Sequence, residues 1–171
     1  MVATRALETA LIAASPSLLA YLQRRAGFNE APDLLGETMV VAWRRVQDLP
    51  DDPERARMWL FGIARGTLLN YARGERRRWA LADRIRSTAA IDVASPPSDE
   101  GAEVRDAIAR LDAARAELVR LVHWDGLSIV EAAELLGIPS STARTRYAKA
   151  KDELRAALGV SAGYAATEVD G

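Results

Sequence analysis

The sequence predicts an all-α chain of two small helical domains joined by a flexible linker, the second containing a helix-turn-helix. Three observations carry that expectation. The 171 residues are rich in Ala, Leu and Arg, with 49% hydrophobic residues and few runs of β-branched side chains. Such residues lose little rotamer freedom in a helix. Ser87 to Glu103 (STAAIDVASPPSDEGAE) has no basic residue and no helical stripe, and its two prolines and four acids suit a solvated spacer. Beyond it, Leu127 to Leu154 carries the marks of two helices meeting at a glycine corner. The expected domains are residues 1–86 and 104–158, with linker 87–103 between them and a small, polar, disordered tail over 159–171.

In the first domain, Thr4 to Ala14 reads as a helix. Ser15-Pro16 then reads as an N-cap with proline at the first helical position, opening a second helix that buries Leu18, Leu19 and Leu22. A third helix is expected from about Pro32 to Val46, with Leu35, Met39, Ala42 and Val46 at helical spacing. The acidic turn Leu49 to Arg55 (LPDDPER) follows. A long helix from about Glu54 to Arg73 or beyond would bury Ala56, Trp59, Leu60, Ile63, Ala64, Thr67, Leu68 and Tyr71.

In the second domain, Val104, Ile108 and Leu111 mark one helix and Leu118, Leu121 and Val122 the next. Ser128, followed three residues later by Glu131, is a capping box that opens a third. Its face would be Ile129, Ala132, Ala133 and Leu136, and Gly137 supplies the left-handed exit. Ile138 and Pro139 redirect the chain, and Ser140 or Ser141 caps a fourth helix. There Ala143, Tyr147, Ala150 and Leu154 form one buried stripe, while Ser141, Thr142, Arg144, Thr145, Arg146 and Lys149 lie outside it. A helix that only turned the chain would need the stripe alone. Short hydroxyls beside arginines suit a DNA major groove, because arginine binds guanine edges bidentately and hydroxyls meet bases or phosphates. The pattern therefore reads as a DNA-reading helix-turn-helix.

Composition excludes other classes. With no cysteine, disulfides, thiolate zinc sites and thiol redox chemistry are ruled out. The only histidine, His123, reads as a packing residue. No nucleophile-base pairing, phosphate-binding glycine loop or metal cluster is visible, so no enzyme activity, metal or cofactor is expected. The N-terminal stretch MVATRALETALIAASPS is too short and charged for a signal peptide or a membrane span. A cytoplasmic protein without membrane insertion is expected. Net charge is −1, but its distribution is uneven. Between Gly27 and Glu54 seven acids face Arg44 and Arg45, whereas between Arg65 and Arg86 seven arginines face Glu75 and Asp83. Such segregation suggests two faces with two partners, or else an uneven solvated surface.

Three stretches in this order resemble the extracytoplasmic-function sigma factors of bacterial RNA polymerase, over roughly Leu11 to Leu158. APDLLGETMVVAWRRV is similar to that family's core-polymerase-binding helix, with its Asp-Leu-x-x-Glu-x-x-x-x-x-Trp pattern. RARMWLFGIARGTLLNYARGERRR is similar to the helix that contacts and opens the minus-ten element, and LSIVEAAELLGIPSSTARTRYAKAKDELR to the helix-turn-helix that reads the minus-thirty-five element. The resemblance implies that Asp33, Glu37 and Arg44 meet polymerase core, whose docking points are the β′ clamp helices and the β flap. It implies promoter DNA contacts by Asn70, Arg73, Arg76, Arg77 and Arg78 at the minus-ten element, and by Ser141, Thr142, Arg144, Thr145, Arg146 and Lys149 at the minus-thirty-five element. Pro50, Asp51, Asp52 and Arg55 would belong to the loop that pockets a flipped base, and the acidic linker would thread towards the polymerase channels. An anti-sigma factor is a further implied partner. Gly36 departs from the usual polar residue of the polymerase-binding helix, and Ser141 and Ala143 stand where Gly and Val are usual. The competing reading is an autonomous helix-turn-helix transcriptional regulator with a helical partner-binding domain. It would need a ligand pocket or phosphoacceptor in the first domain, which instead carries an acidic helix followed by a basic one.

Overall fold

The N-terminal helix does not stop at its proline. In the computed structural model, which describes residues 2–85 and 101–159, α1 (Val2–Ala26) is one continuous helix where the sequence predicts two. Leu7, Leu11, Ala14, Leu18, Tyr21 and Leu22 are buried along it, and this stripe passes Pro16 without losing register. An interior proline removes one backbone bond, here to the Ile12 carbonyl, and costs about 3 kcal/mol. Pro16 lies on the exposed side and Ile12 is 78% exposed, so water can serve that carbonyl. The Ser15 hydroxyl donates to the Leu11 carbonyl instead of capping a new helix. Burying two leucines beyond the proline offsets its cost, at about 1.5–3 kcal/mol each.

After the left-handed Gly27, α2 (Ala31–Arg44) buries Ala31, Leu34, Thr38 and Ala42. This face is rotated from the expected one, since Leu35, Met39 and Val46 are only half-buried. Thr38 is fully buried because its hydroxyl donates to the Leu34 carbonyl at 2.7 Å, leaving no unmet donor. A 3-10 turn (Val46–Asp48) leads to α3 (Pro53–Ile85), about 50 Å long at 1.5 Å per residue. Its core residues are Ala56, Leu60, Phe61, Ile63, Ala64 and Thr67. Trp59, Leu68 and Tyr71 are half-buried rather than core. Phe61, which the expected stripe omits, is fully buried and meets Tyr21 edge-on at 5.5 Å. The three helices pack pairwise. From Arg76 to Leu81 every residue of α3 is exposed, so the helix outruns the body it belongs to.

The contacts divide the chain into two compact units, and the second holds α4 (Ala102–Ala109), α5 (Ala113–His123), α6 (Ile129–Leu136) and α7 (Ser140–Ala157). Helix α4 starts inside the expected linker, with Gly101 left-handed at its N-cap, so Ala102 and Glu103 are helical. Residues 87–100 of that linker and 160–171 of the expected tail lie outside the described residues. Val104 is exposed, not core. The core gathers Ile108, Leu111, Ala116, Val119, Tyr147 and Ala150, with Val122, Ile129 and Leu154 packed against it.

Replacing Pro16 by alanine tests the first unit. If α1 is continuous, Pro16→Ala restores one helical bond and raises stability in urea denaturation by up to about 3 kcal/mol. A loss of stability would mean that the proline opens a separate helix.

Candidate nucleic-acid interface

The corner between α6 and α7 is fixed by local chemistry. The Ser128 hydroxyl accepts from the Glu131 amide at 3.2 Å, and the Glu131 carboxylate accepts from the Ser128 amide at 2.7 Å. At the other end Gly137 adopts φ 67° and ψ 34°, a left-handed pair that any side chain would strain. The amides of Gly137 and Ile138 donate to the carbonyls of Glu134 and Ala133 and close the last turn. Neither serine caps α7, contrary to the sequence expectation. Pro139 is its N-cap, there is no side-chain cap bond, and the Ser141 hydroxyl is left for other partners.

Burial then sorts the sides of α7. Ala143, Tyr147 and Ala150 point into the core. At 3.6 residues per turn, Ser141, Thr145, Ala148 and Lys149 form the opposite, exposed side. Arg144 lies on one flank and Arg146 on the other, both exposed, while Thr142 is half-buried. The Thr145 hydroxyl donates to the Ser141 carbonyl at 3.1 Å, so its remaining lone pairs can only accept. Arg144, Arg146 and Lys149 have no ion-pair partner among the described residues. Ala148, also exposed there, carries no polar signal in the sequence; a small apolar group at that place suits a thymine methyl. The histidine is tied to this helix too. His123 Nε2 lies 2.8 Å from the Tyr147 hydroxyl, with the rings stacked, so it braces α7 from α5.

In the first unit the basic candidates lie on the second half of α3, three of them on its projecting part. Arg73, Arg76, Arg77 and Arg78 are exposed, as is Asn70. Arg73 donates to Asn70 Oδ1 at 2.7 Å, which orients the amide, and Arg78 pairs with Glu75. Trp79, 57% exposed beside these arginines, was not among the sequence candidates. The acidic candidates are on α2. Asp33, Glu37 and Arg44 are exposed at helical spacing on one side, with exposed Val40 between them and Trp43 beside them. Val40 sits in the apolar run MVVAW, where sequence alone does not tell buried from exposed. The loop candidates are split by the structure. Pro50 is half-buried and Asp51 exposed. Asp52 uses its carboxylate to cap α3, accepting from the Arg55 amide at 2.9 Å. Arg55 belongs to the first turn of α3, not to the loop.

The two units match known families in the same order. Residues 11–78 match the family Sigma-70 region 2, and residues 101–154 match Sigma-70, region 4. The chain is 31% identical over 156 residues to the ECF RNA polymerase sigma factor SigC of Mycobacterium tuberculosis, covering 89% of this chain and 83% of that one. The chain belongs to the ECF RNA polymerase sigma factors. It is also 28% identical over 134 residues to the sigma factor SigL of M. tuberculosis, covering 75% of each. Among solved structures, the sigma factor RpoE in its complex with the anti-sigma factor NepR from Bartonella quintana aligns with a TM-score of 0.67 and 26% identity, over 90% of this chain and 96% of that one. CnrH, solved with the cytosolic domain of CnrY, shares the fold at 23% identity and a TM-score of 0.61, over 93% and 91% of the two chains. As a sigma factor, the chain works with RNA polymerase core on promoter DNA. No helix among its described residues is long and apolar enough to cross a membrane.

The corner gives a direct stability test. Gly137→Ala forces a Cβ into the left-handed region and is expected to cost about 1–2 kcal/mol in the second unit. Ser128→Ala is expected to cost about 1 kcal/mol through the lost cap. Urea denaturation of each variant reads both, and a neutral Gly137→Ala would show that the corner does not need its left-handed turn.

Proposed function

We propose that this sigma factor divides its work among the three exposed surfaces of α2, α3 and α7. The α2 face of Asp33, Glu37 and Arg44, with Val40 and Trp43 beside it, docks on the β′ clamp helices of polymerase core. The second unit meets the β flap. Helix α7 enters the major groove of the minus-thirty-five element, with Ser141, Thr142, Arg144, Thr145, Arg146 and Lys149 facing the DNA. Asn70, Arg73, Arg76, Arg77 and Arg78 hold the minus-ten element, mostly through phosphates, which give affinity more than sequence information. The turn before α3 takes up a flipped base through Pro50, Asp51 and the first turn of α3 at Arg55, with Asp52 shaping the turn by capping the helix. Opening the duplex uses binding energy to unstack bases, and the chain itself catalyses no covalent step. The domains span residues 1–86 and 104–158 with the start of α4 at Ala102 added to the second, and the acidic linker runs into the polymerase. The protein acts in the cytoplasm, and an anti-sigma factor masks its surfaces until a signal arrives.

The observation that carries this reading is the unpaired polar side of α7, held outward by a fully buried alanine stripe on its other side. Transcription from a genomic promoter library, with bacterial core polymerase plus and minus this protein, tests it. Discrete new starts that share upstream elements are expected. No new starts, with the protein failing to co-elute with core, would sink the assignment.

The α2 surface has its own test. The charge reversal Asp33→Lys with Glu37→Lys should weaken core binding about tenfold, about 1.4 kcal/mol, with helix content unchanged by circular dichroism. Unaltered binding of that variant would remove α2 from the interface.

A further inference from the structure

One cleft of the second unit borders the DNA-reading side of α7 and extends to the start of α5. Asp112, Ala114 and Arg115 at the start of α5 line it with Thr145, Arg146 and Lys149 of α7, enclosing about 330 Å³. Three of the six side chains are cations. Arg146 and Lys149 are unpaired among the described residues. Arg115 is held from two sides, by Asp112 on its own helix at 2.9 Å and by Glu153 of α7. Its side chain stays 27% exposed. A guanidinium has five N–H donors. The two carboxylates engage Nε and Nη1, which leaves the Nη2 edge open and the group already fixed in place. Fixing a rotamer-rich side chain beforehand lowers the entropy lost when it binds. The amides of Ala114 and Arg115 are taken by the Asp112 cap, at 3.1 Å each, and Thr145 gives its proton to Ser141. What the cleft offers is therefore three cationic side chains, beside an Asp112 carboxylate already engaged by Arg115 and by the two capped amides.

We propose that this cleft seats one backbone phosphate of duplex DNA, and that Arg115, outside the recognition helix, is a phosphate-contacting residue. The proposal rests on α7 lying in a major groove. With Ser141, Thr145 and Ala148 towards the bases and Lys149 at the edge of the cleft, the two flanks of α7 face the two sugar-phosphate strands. Arg146 and the start of α5 share one flank, so one strand passes the cleft. Arg144 meets the other strand. This sorts the site: Ser141, Thr145 and Ala148 specify sequence, while Arg115, Arg144 and Arg146 position the helix.

The experiment uses holoenzyme assembled from full-length protein and bacterial core polymerase. A randomised duplex pool is selected by wild type, and one selected duplex then serves as probe in salt titrations. Arg115→Gln should bind every selected sequence more weakly and keep the same sequence preference. Its slope of log affinity against log salt should be shallower by about 0.9, one phosphate contact. Glu153→Gln breaks the same tie between α5 and α7 but keeps the cation, so its slope should stay close to wild type. Thr145→Ala should instead change the preferred sequence and leave the slope alone. An unchanged slope for Arg115→Gln overturns the phosphate seat. Equal loss of slope in Glu153→Gln also overturns it, since the tie rather than the cation would then be responsible. A wild-type holoenzyme that selects no duplex overturns the DNA reading of α7 and this proposal together.

Discussion

Close approach of helices at alanine seams governs what this protein can show to its partners. Ala31, Ala42, Ala56 and Ala64 are buried in the first unit, and Ala107, Ala116, Ala132, Ala133, Ala143 and Ala150 in the second. Interaxial distance is set by the side chains at a crossing, and alanine lets two helices come nearest. A larger side chain there overpacks the crossing, typically at a cost of 1–3 kcal/mol. Because each seam occupies one narrow stripe, it fixes the rotation of its helix about its own axis. Rotation in turn decides which side chains are lost to the core and which reach solvent.

The exposed surfaces follow from that rotation. On α7, Ala143 and Ala150 inward leave Ser141, Thr145 and Lys149 outward. On α2, Ala31 and Ala42 inward leave Asp33, Glu37 and Arg44 outward. The larger apolar groups then fix the helices within each body: Tyr21 against Phe61 in the first, and Tyr147 among Ile108, Leu111 and Val119 in the second. Surface ion pairs such as Arg45 with Asp48 and Arg155 with Asp152 are exposed and local. Pairs of that kind contribute about 0–1 kcal/mol. They cannot hold the fold, and they leave most of the arginines of α3 and α7 able to exchange partners for phosphate.

Much of this was legible before any coordinates. The capping box at Ser128 and Glu131, the exit at Gly137 and the stripe through Ala143, Tyr147 and Ala150 are local signals, written in residues a few positions apart. The misses share another cause. Pro16 reads as a helix start because its local preference says so, and only burial of Leu18 and Leu22 against other helices overrides it. Thr38 falls outside the expected stripe, and a bond to its own helix lets its polar side chain sit in the core. The run Met39 to Trp43 is apolar on every side, so periodicity could not choose its buried face. Arg115 carried no signal at all, because its partner Glu153 is 38 residues away.

By itself the sequence determined the helical class, the two-unit division, the corner at Gly137 and the family, because each rests on short-range pattern or on ordered motifs. The tertiary structure decided the rest. It joined α1 across its proline, turned α2 to bury Thr38 in place of Met39, carried α3 beyond its body and set the start of α5 beside one flank of α7. Those outcomes depend on contacts between residues far apart in the chain, where packing energy outweighs local preference.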